Sequence, residues 1–169
     1  MKVIYENSFD INEWYVLTTL TVLIVLVWIT PKILPLTEAI VYLLYGIFVG
    51  MFYDHTVSVK PWDFYDVNDS SAYQVIDFIS YLVYGPHSYF FIYFYVKFRI
   101  KGFKNILYVF IWVLFSLVNE WIALKVGLFH YEKGFSMYWS VSTYVLAQTS
   151  LILLYHIIRL NRTFVEKQF

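Results

Sequence analysis

The chain has 169 residues, of which 60% are hydrophobic and only 14% are charged, and its formal net charge is zero. Soluble domains carry about 25% charged residues, and a domain this short could not bury so much apolar surface. Composition therefore excludes an ordinary water-soluble domain, and the balanced charge gives no basic field for nucleic acid. Because cysteine is absent, disulfides, thiolate metal sites and cysteine nucleophiles are excluded as well.

The first two apolar runs predict two membrane-spanning helices, since about 20 consecutive apolar residues cross the hydrocarbon core. The first predicted span covers residues 14–30 and is short, with Pro31 and Pro35 breaking the pattern after it. No positively charged segment precedes it, so we expect no cleavable signal peptide. The second predicted span covers residues 34–53 and is followed by the longest polar loop.

The third apolar run, residues 72–98, is long for one crossing and contains Gly85-Pro86 near its middle. Proline removes a helical hydrogen bond and clashes with the preceding turn, so we predict a kink at this step. A re-entrant pair of half-helices is the alternative. With two further runs, residues 105–124 and 137–160, the sequence predicts an all-α membrane protein. We expect a single transmembrane domain over residues 1–169, built as a bundle of five transmembrane helices.

The distribution of lysine and arginine predicts the orientation of this bundle. With five spans the termini lie on opposite sides, and an outside N-terminus puts eight of the twelve basic residues in the cytoplasm. Those eight are Lys32, Lys97, Arg99, Lys101, Lys104, Arg159, Arg162 and Lys167. The other four are Lys2, Lys60, Lys125 and Lys133. We therefore predict a multi-pass protein of the cell membrane with its N-terminus outside and its C-terminus in the cytoplasm.

Small and polar residues form helical stripes that we expect to face the inside of the bundle. In span two, Gly46 and Gly50 form a small-xxx-small pair that favours close helix packing, here within the chain. Polar groups that face hydrocarbon are costly, so the polar stripes of the other spans should also point inward. They are Tyr73, Asp77, Ser80, Tyr81 and Tyr84 in span three, Ser116, Asn119, Glu120 and Ala123 in span four, and Thr143, Ala147 and Ser150 in span five, with Gln148 beside them.

Two acids inside the predicted spans, Asp77 and Glu120, are the strongest candidates for a functional site. Each lies roughly 7–8 Å inside its span, toward the outer face in this topology. We predict that they share one outer polar pocket, and the alternative is that both only satisfy local partners and lock the bundle. The predicted pocket residues are Asp54, His55, Asp77, Ser80, Tyr84, Asn119, Glu120 and His130.

The chemistry of this predicted pocket leaves several alternatives open. Its acids and histidines could ligate zinc or a hard metal, but no compact ligand motif is present, so we predict no metal and no cofactor. A carboxylate pair suited to proton-coupled binding or acid–base chemistry is another interpretation. The many aromatic residues within the spans, such as residues 89–95, predict rings that fill the bundle and face lipid. An aromatic-lined pocket for an isoprenoid, quinone or lipid tail is the alternative.

Several short motifs between residues 45 and 159 carry a resemblance to a known family. They are Asp54, the Tyr84-Gly85-Pro86 step with the aromatic run after it, and Asn119-Glu120-Trp121 leading to His130-Tyr131. With these residues the chain resembles an uncharacterised family of small polytopic membrane proteins from Gram-positive spore-forming bacteria. The resemblance implies a polytopic helical fold and implies no mechanism.

Three classes of function agree with these features. Small size and the absence of a catalytic signature favour an accessory or structural subunit of a membrane complex. A small transporter or ligand-binding bundle, using the outer-facing carboxylate and histidine pocket, is the first alternative. An intramembrane lipid-modifying enzyme is the second. The expected partners are the lipid bilayer and a membrane protein, and we expect no nucleic acid.

Overall fold

The computed structural model of the protein describes residues 9–67 and 75–166, most of which belong to five long α-helices. The helices are α1, Ile11–Ile29; α2, Leu36–Val57; α3, Val75–Lys97; α4, Lys104–Lys125; and α5, Met137–Glu166. Two short strands, β1 at Tyr65–Val67 and β2 at Phe129–Tyr131, pair in antiparallel fashion. The predicted all-helical architecture is therefore confirmed for the described residues, with a small β-ribbon added to it.

Four of the helices, α1, α2, α4 and α5, are long and apolar enough to cross a membrane. Their large apolar side chains are mostly exposed, as Phe110, Leu114 and Val118 are on α4. Continuous apolar surface of this kind is unfavourable in water and suits contact with lipid. The four apolar helices therefore fit a multi-pass membrane protein. Two of them extend past the predicted ends, α2 to Val57 and α5 to Glu166.

The central helix, α3, is not among these four, and several tyrosines, one acid and a histidine lie along it. It is also the helix with the most buried residues, and it packs against α1, α2 and α5. Its rings meet α4 as well, since His87 stacks on Phe115 with centroids 5.2 Å apart. A helix in this position contacts other helices more than lipid, so it can carry polar residues that an outer helix could not.

The segment around Gly85-Pro86 is helical throughout, because α3 continues without interruption from Val75 to Lys97. The alternative of two re-entrant half-helices is therefore wrong for this segment. The kink at Pro86 stays a prediction. The predicted start of this span at residue 72 and the stripe residue Tyr73 lie outside the described residues, as do Lys2 and Lys167.

Glycines hold α2 and α3 together. A Cβ built on Gly46 would overlap the backbone carbonyl oxygen of Tyr84 and lie 2.6 Å from the Ser88 Oγ. A Cβ on Gly50 would overlap the Tyr84 ring, and one on Gly85 would lie 3.1 Å from the Leu43 carbonyl oxygen. The small-xxx-small pair thus packs within the chain, as its sequence predicted, and Gly85 completes the contact from the other side.

Local sequence signals fix the helix ends. α1 begins with a capping box in which the Asp10 side chain accepts from the Asn12 backbone N–H at 3.1 Å. In return, the Glu13 Oε2 accepts from the Asp10 N–H at 2.8 Å. α2 begins directly after Pro35, whose fixed φ suits the start of a helix. Past the end of α4, Gly127 has a φ of +80°, a left-handed conformation that favours glycine.

The β-ribbon covers one end of the bundle, called here the ribbon end. It pairs Tyr65 with Tyr131, Asp66 with His130 and Val67 with Phe129, so it joins the α2–α3 and α4–α5 connections. Side chains alternate along a strand, which puts Asp66 and His130 on the opposite face from the other two pairs. A salt bridge of 3.1 Å between Lys133 and Asp63 also connects the two segments.

At the opposite end of the bundle, a buried acid ties α2 to α5. Glu38, in the first turn of α2, forms ion pairs of 3.4 Å with both Arg159 and Arg162. The Tyr42 hydroxyl donates to the same carboxylate at 3.5 Å. Two of the basic residues that we assigned to the cytoplasmic side therefore also bind an acid within the protein.

Candidate functional site

A cavity of about 550 Å³ lies inside the bundle. All five helices and the ribbon contribute to its wall, and part of the cavity is open to the surroundings of the bundle. Cavities of roughly 300–1,000 Å³ are the usual size for binding small molecules. Most of the wall is apolar and aromatic, with a limited number of polar side chains.

The cavity-lining residues follow helical periodicity. α4 contributes residues at i, i+3, i+4, i+7, i+8 and i+11, namely Trp112, Phe115, Ser116, Asn119, Glu120 and Ala123. α5 contributes the same spacing with Ser140, Thr143, Tyr144, Ala147, Gln148 and Leu151. The whole predicted stripe of span four thus faces the cavity. Both helices present one face inward, and that face contains several of their polar residues.

The cavity is elongated and has two chemically different ends. On α1 its wall runs from Tyr15 to Thr30, which is roughly 22 Å along the helix. Near the ribbon end the wall carries Glu120 and a cluster of hydroxyl groups. Toward the other end the side chains are mostly apolar, as with Leu26, Phe94 and Leu151. The shape is that of a slot with a polar head and an apolar tail.

Glu120 is the chemical centre of the polar end. It is buried, with an exposed fraction of 6%. Its Oε1 accepts hydrogen bonds from the Ser140 hydroxyl at 2.6 Å and from the Tyr131 hydroxyl. Tyr144 interacts electrostatically with the same carboxylate and lies close enough to hydrogen-bond to it as well. α4, α5 and the ribbon therefore meet at this one side chain.

Two polar atoms on the cavity wall have no hydrogen-bond partner among the described residues. One is the other carboxylate oxygen, Glu120 Oε2, and the second is Gln148 Oε1. The Gln148 amide uses its Nε2 to donate to the Ser116 hydroxyl at 3.3 Å. Buried acceptors are nearly always satisfied in folded proteins, and leaving one unsatisfied is costly. Both atoms belong to residues that line the cavity, which makes the cavity the natural place for a missing donor.

Two ribbon tyrosines are kept neutral by their surroundings. Burial raises the pKa of Tyr131, and the hydrogen bond to Glu120 and the charge of that carboxylate raise it further. Burial likewise raises the pKa of Tyr65, with a further contribution from the charge of Asp54. Both hydroxyl groups consequently remain hydrogen-bond donors well above the pH at which a free tyrosine ionises.

This electrostatic setting predicts the alkaline behaviour of the ribbon end. An unfolded tyrosine ionises near pH 10. Because the folded pKa of Tyr131 is higher, its contribution to stability is complete below about pH 10 and is lost as the pH rises further. The difference in 295 nm absorbance between wild type and Tyr131→Phe reports the ionisation of Tyr131, which should therefore occur well above pH 10. In a Glu120→Gln background, Tyr131 should ionise at a lower pH than it does in wild type. Ionisation near pH 10 in the folded protein would contradict a partly buried hydroxyl that is hydrogen-bonded to a carboxylate.

The structure brings four of the eight predicted pocket residues to the cavity. Those four are Ser80, Tyr84, Asn119 and Glu120. Asp77, which we expected beside Glu120, is buried in the first turn of α3 and does not line the cavity. It lies one turn before Ser80, the first cavity-lining residue of α3. This cavity therefore contains one of the two acids that we expected to share a pocket.

The remaining three predicted residues, Asp54, His55 and His130, also lie off the cavity wall. Asp54 accepts hydrogen bonds from the Tyr81 hydroxyl and, at 2.9 Å, from the Ser58 hydroxyl. The His55 Nδ1 donates to the Met51 carbonyl oxygen at 2.9 Å. His130 sits in the ribbon opposite Asp66. The predicted carboxylate and histidine group is therefore dispersed around the ribbon end rather than gathered at the cavity.

Several cavity residues were absent from the predicted site. Tyr131 was seen only as part of the family resemblance, because a three-residue strand gives no periodic signal. Ser140, Tyr144 and Gln148 follow one another at i, i+4 and i+8 on α5, a spacing that could have revealed them. His87 also lines the cavity, one turn beyond Tyr84.

The cavity wall carries little charge. None of the described residues on the wall is lysine or arginine, and Glu120 is the one acid there. Within the described parts of the chain, no group of three or more His, Asp or Glu side chains is placed to hold a metal ion. The field at the polar end therefore comes mainly from the Glu120 carboxylate, and the charge of Asp54 also reaches the wall at Tyr65.

Comparison with known proteins adds no relative to this picture. No protein-family model matches the chain, and neither does any curated protein or solved structure. The resemblance to the family from spore-forming bacteria therefore stays a prediction. Function has to be argued from the cavity itself.

Proposed function

We propose that this protein is a membrane-embedded binding bundle that holds an amphiphilic small molecule in its central cavity. The observation that supports the proposal is the cavity with Glu120 Oε2 on its wall, buried and without a hydrogen-bond partner among the described residues. A carboxylate that served only to lock the bundle would be expected to have both oxygens paired. A ligand that supplies a donor at this point would satisfy it.

This proposal develops the ligand-binding alternative from the sequence. An accessory subunit of a membrane complex stays a second proposal. A purely structural role would not require a cavity with a buried acid on its wall. A lipid-modifying enzyme would need more than one reactive group near the substrate. Glu120, Ser140 and Tyr131 do meet at one point, but both hydroxyl groups donate to the same carboxylate oxygen, Oε1. Binding is therefore the function that this geometry favours.

We further propose that all five helices cross the cell membrane, with the ribbon end outside. α3 supports this because its 23 residues are roughly 34 Å long and it lies among the other helices. The basic residues Lys97, Arg99, Lys101 and Lys104 border the turn between α3 and α4, at the end of the bundle away from the ribbon. The positive-inside rule places that end in the cytoplasm.

The proposed orientation predicts the behaviour of reporter fusions. A fluorescent reporter that matures only in the cytoplasm should be active after Phe169, and alkaline phosphatase at the same point should be inactive. Fusions within the ribbon segment, after Lys133, should give the opposite pattern. A C-terminal phosphatase that is active outside the cell would overturn the orientation.

The binding proposal can be tested by filling the slot. Ala147 lines the cavity, whereas its neighbour Leu146 points away from it and is exposed. Each protein is placed in nanodiscs that contain single-chain hexadecyl compounds, and native mass spectrometry detects what each chain retains. We expect wild type and Leu146→Phe to retain one hexadecyl compound per chain. Ala147→Phe should fold equally well and retain none. Equal retention by the two variants, or no retention by wild type, would refute the proposal.

A further inference from the structure

We propose that the occupant of the cavity is a single-chain amphiphile with an ammonium headgroup, bound with its nitrogen at Glu120 and its chain along the slot. This inference rests on the proposed binding function and specifies its ligand. Three features support it: the charge of the cavity wall, the unsatisfied hydrogen-bond acceptors on that wall and the elongated shape of the slot.

Charge determines which headgroup is compatible with the polar end. Glu120 is the sole acid on the described wall, and no described lysine or arginine lines the cavity to neutralise an anion. A carboxylate or phosphate headgroup would therefore place a second negative charge beside a buried one, which a low-dielectric site strongly disfavours. A cation at the same point would be attracted by Glu120.

Hydrogen bonding narrows the choice from any cation to one that can donate. The two unpartnered atoms on the wall, Glu120 Oε2 and Gln148 Oε1, are both acceptors. A primary ammonium group offers three N–H donors, whereas a quaternary ammonium offers none. The aromatic rings of Tyr84, Tyr131 and Tyr144 also line this part of the cavity, and ring faces favour cations further.

The shape of the slot determines the rest of the ligand. Beyond Gln148 the wall continues through Leu23, Phe90, Phe94 and Leu151, which offer only apolar contacts. The wall extends roughly 21 Å along α3, from Ser80 to Phe94, so the space is long rather than round. A volume of about 550 Å³ corresponds to a drug-sized molecule rather than a two-chain lipid. One extended hydrocarbon chain fits this shape.

The experiment compares headgroups on one chain length. Nanodiscs that contain equal amounts of hexadecylamine, hexadecanol, hexadecyltrimethylammonium and palmitate are mixed with the protein, and native mass spectrometry identifies the retained compound. We expect hexadecylamine to be retained about tenfold or more in preference to each of the others, the size expected for hydrogen bonds to a charged group. Ala147→Phe, with the slot filled, should retain none of the four.

Glu120→Gln is the decisive variant, because it keeps the side-chain volume and removes the charge. It should still retain one hexadecyl compound per chain, with the preference for the amine reduced at least tenfold. Retention of palmitate or hexadecanol as readily as the amine by wild type would overturn the ammonium headgroup and leave the binding proposal standing. Failure of all four compounds to bind wild type would overturn both proposals. An unchanged amine preference in Glu120→Gln would also overturn the role of the carboxylate.

Discussion

Gly46→Ala is expected to destabilise the protein by about 3 kcal/mol or more, whereas Gly50→Ala on the same helix should cost less than about 1 kcal/mol. In both variants the new methyl group would meet α3. At Gly46 it would overlap the backbone carbonyl oxygen of Tyr84, which cannot move without the helix. At Gly50 it would overlap the ring of the same tyrosine, a side chain that shifts more easily than a helix backbone. The difference in stability between the two variants therefore reports whether the new methyl group meets a rigid backbone or a side chain.

The sign of the Gly46 effect makes this prediction informative. Alanine is a better helix former than glycine by about 1 kcal/mol, so the substitution would stabilise an unpacked helix. A loss of stability can arise only from the contact between α2 and α3. Thermal denaturation of purified wild type and both variants in the same detergent would measure the difference. A Gly46→Ala protein as stable as wild type would mean that the two helices do not approach as closely as described.

The polar face of α4 is the part of the site that could be predicted best from the sequence. On that helix the polar and small residues Ser116, Asn119, Glu120 and Ala123 share one face, and the other faces carry large apolar side chains. A single orientation therefore turns the polar face into the bundle and the apolar side chains toward lipid. α5 was more difficult because it is polar on more than one side. We predicted a face of small residues that included Ser150, but that hydroxyl lies 2.7 Å from the Tyr45 hydroxyl and is not on the cavity wall.

The limits of the sequence are clearest for the acids. Asp77 and Glu120 occupy comparable depths in their predicted spans, and helical spacing puts each on a polar stripe. Spacing along a helix gives the direction of a side chain but not where the cavity ends, and Asp77 lies one turn before the first cavity-lining residue of α3. Asp54 shares its stripe with Gly50, but its side chain turns to the Tyr81 hydroxyl. For Asp54, a partner on another helix therefore decided where the side chain lies.

Long-range pairing explains what the sequence could not reveal at the two ends of the bundle. The ribbon pairs segments more than sixty residues apart with three residues each, too few for an alternating pattern to be recognised. Glu38 is a single acid near the start of an apolar run, and its arginine partners come from the last helix. Neither feature has a local signature, yet each fixes how distant helices meet.

Replacement of Glu38 is expected to cause the second large loss of stability. The carboxylate is buried, with an exposed fraction of 4%, and it pairs with Arg159 and Arg162 across α2 and α5. Breaking a fully buried ion pair costs about 3–5 kcal/mol, and partial exposure of the arginines reduces this. We expect Glu38→Gln to lower the free energy of unfolding by about 1–3 kcal/mol, which thermal denaturation in detergent can measure. Lys133→Gln, which breaks the exposed ion pair with Asp63, is the matched control and should cost at most about 0.5 kcal/mol.

The two arginines can be distinguished by double-mutant cycles, because both lie 3.4 Å from the Glu38 carboxylate but differ in exposure. The Arg159 side chain is 35% exposed and that of Arg162 is 49% exposed. Water and salt weaken an ion pair as it becomes more exposed, so Glu38 should couple to Arg159 by about 1 kcal/mol and to Arg162 by about half of that. High salt should reduce the Arg162 coupling more than the Arg159 coupling. Zero coupling in both cycles, together with an unaltered Glu38→Gln protein, would show that the acid does not hold α2 to α5.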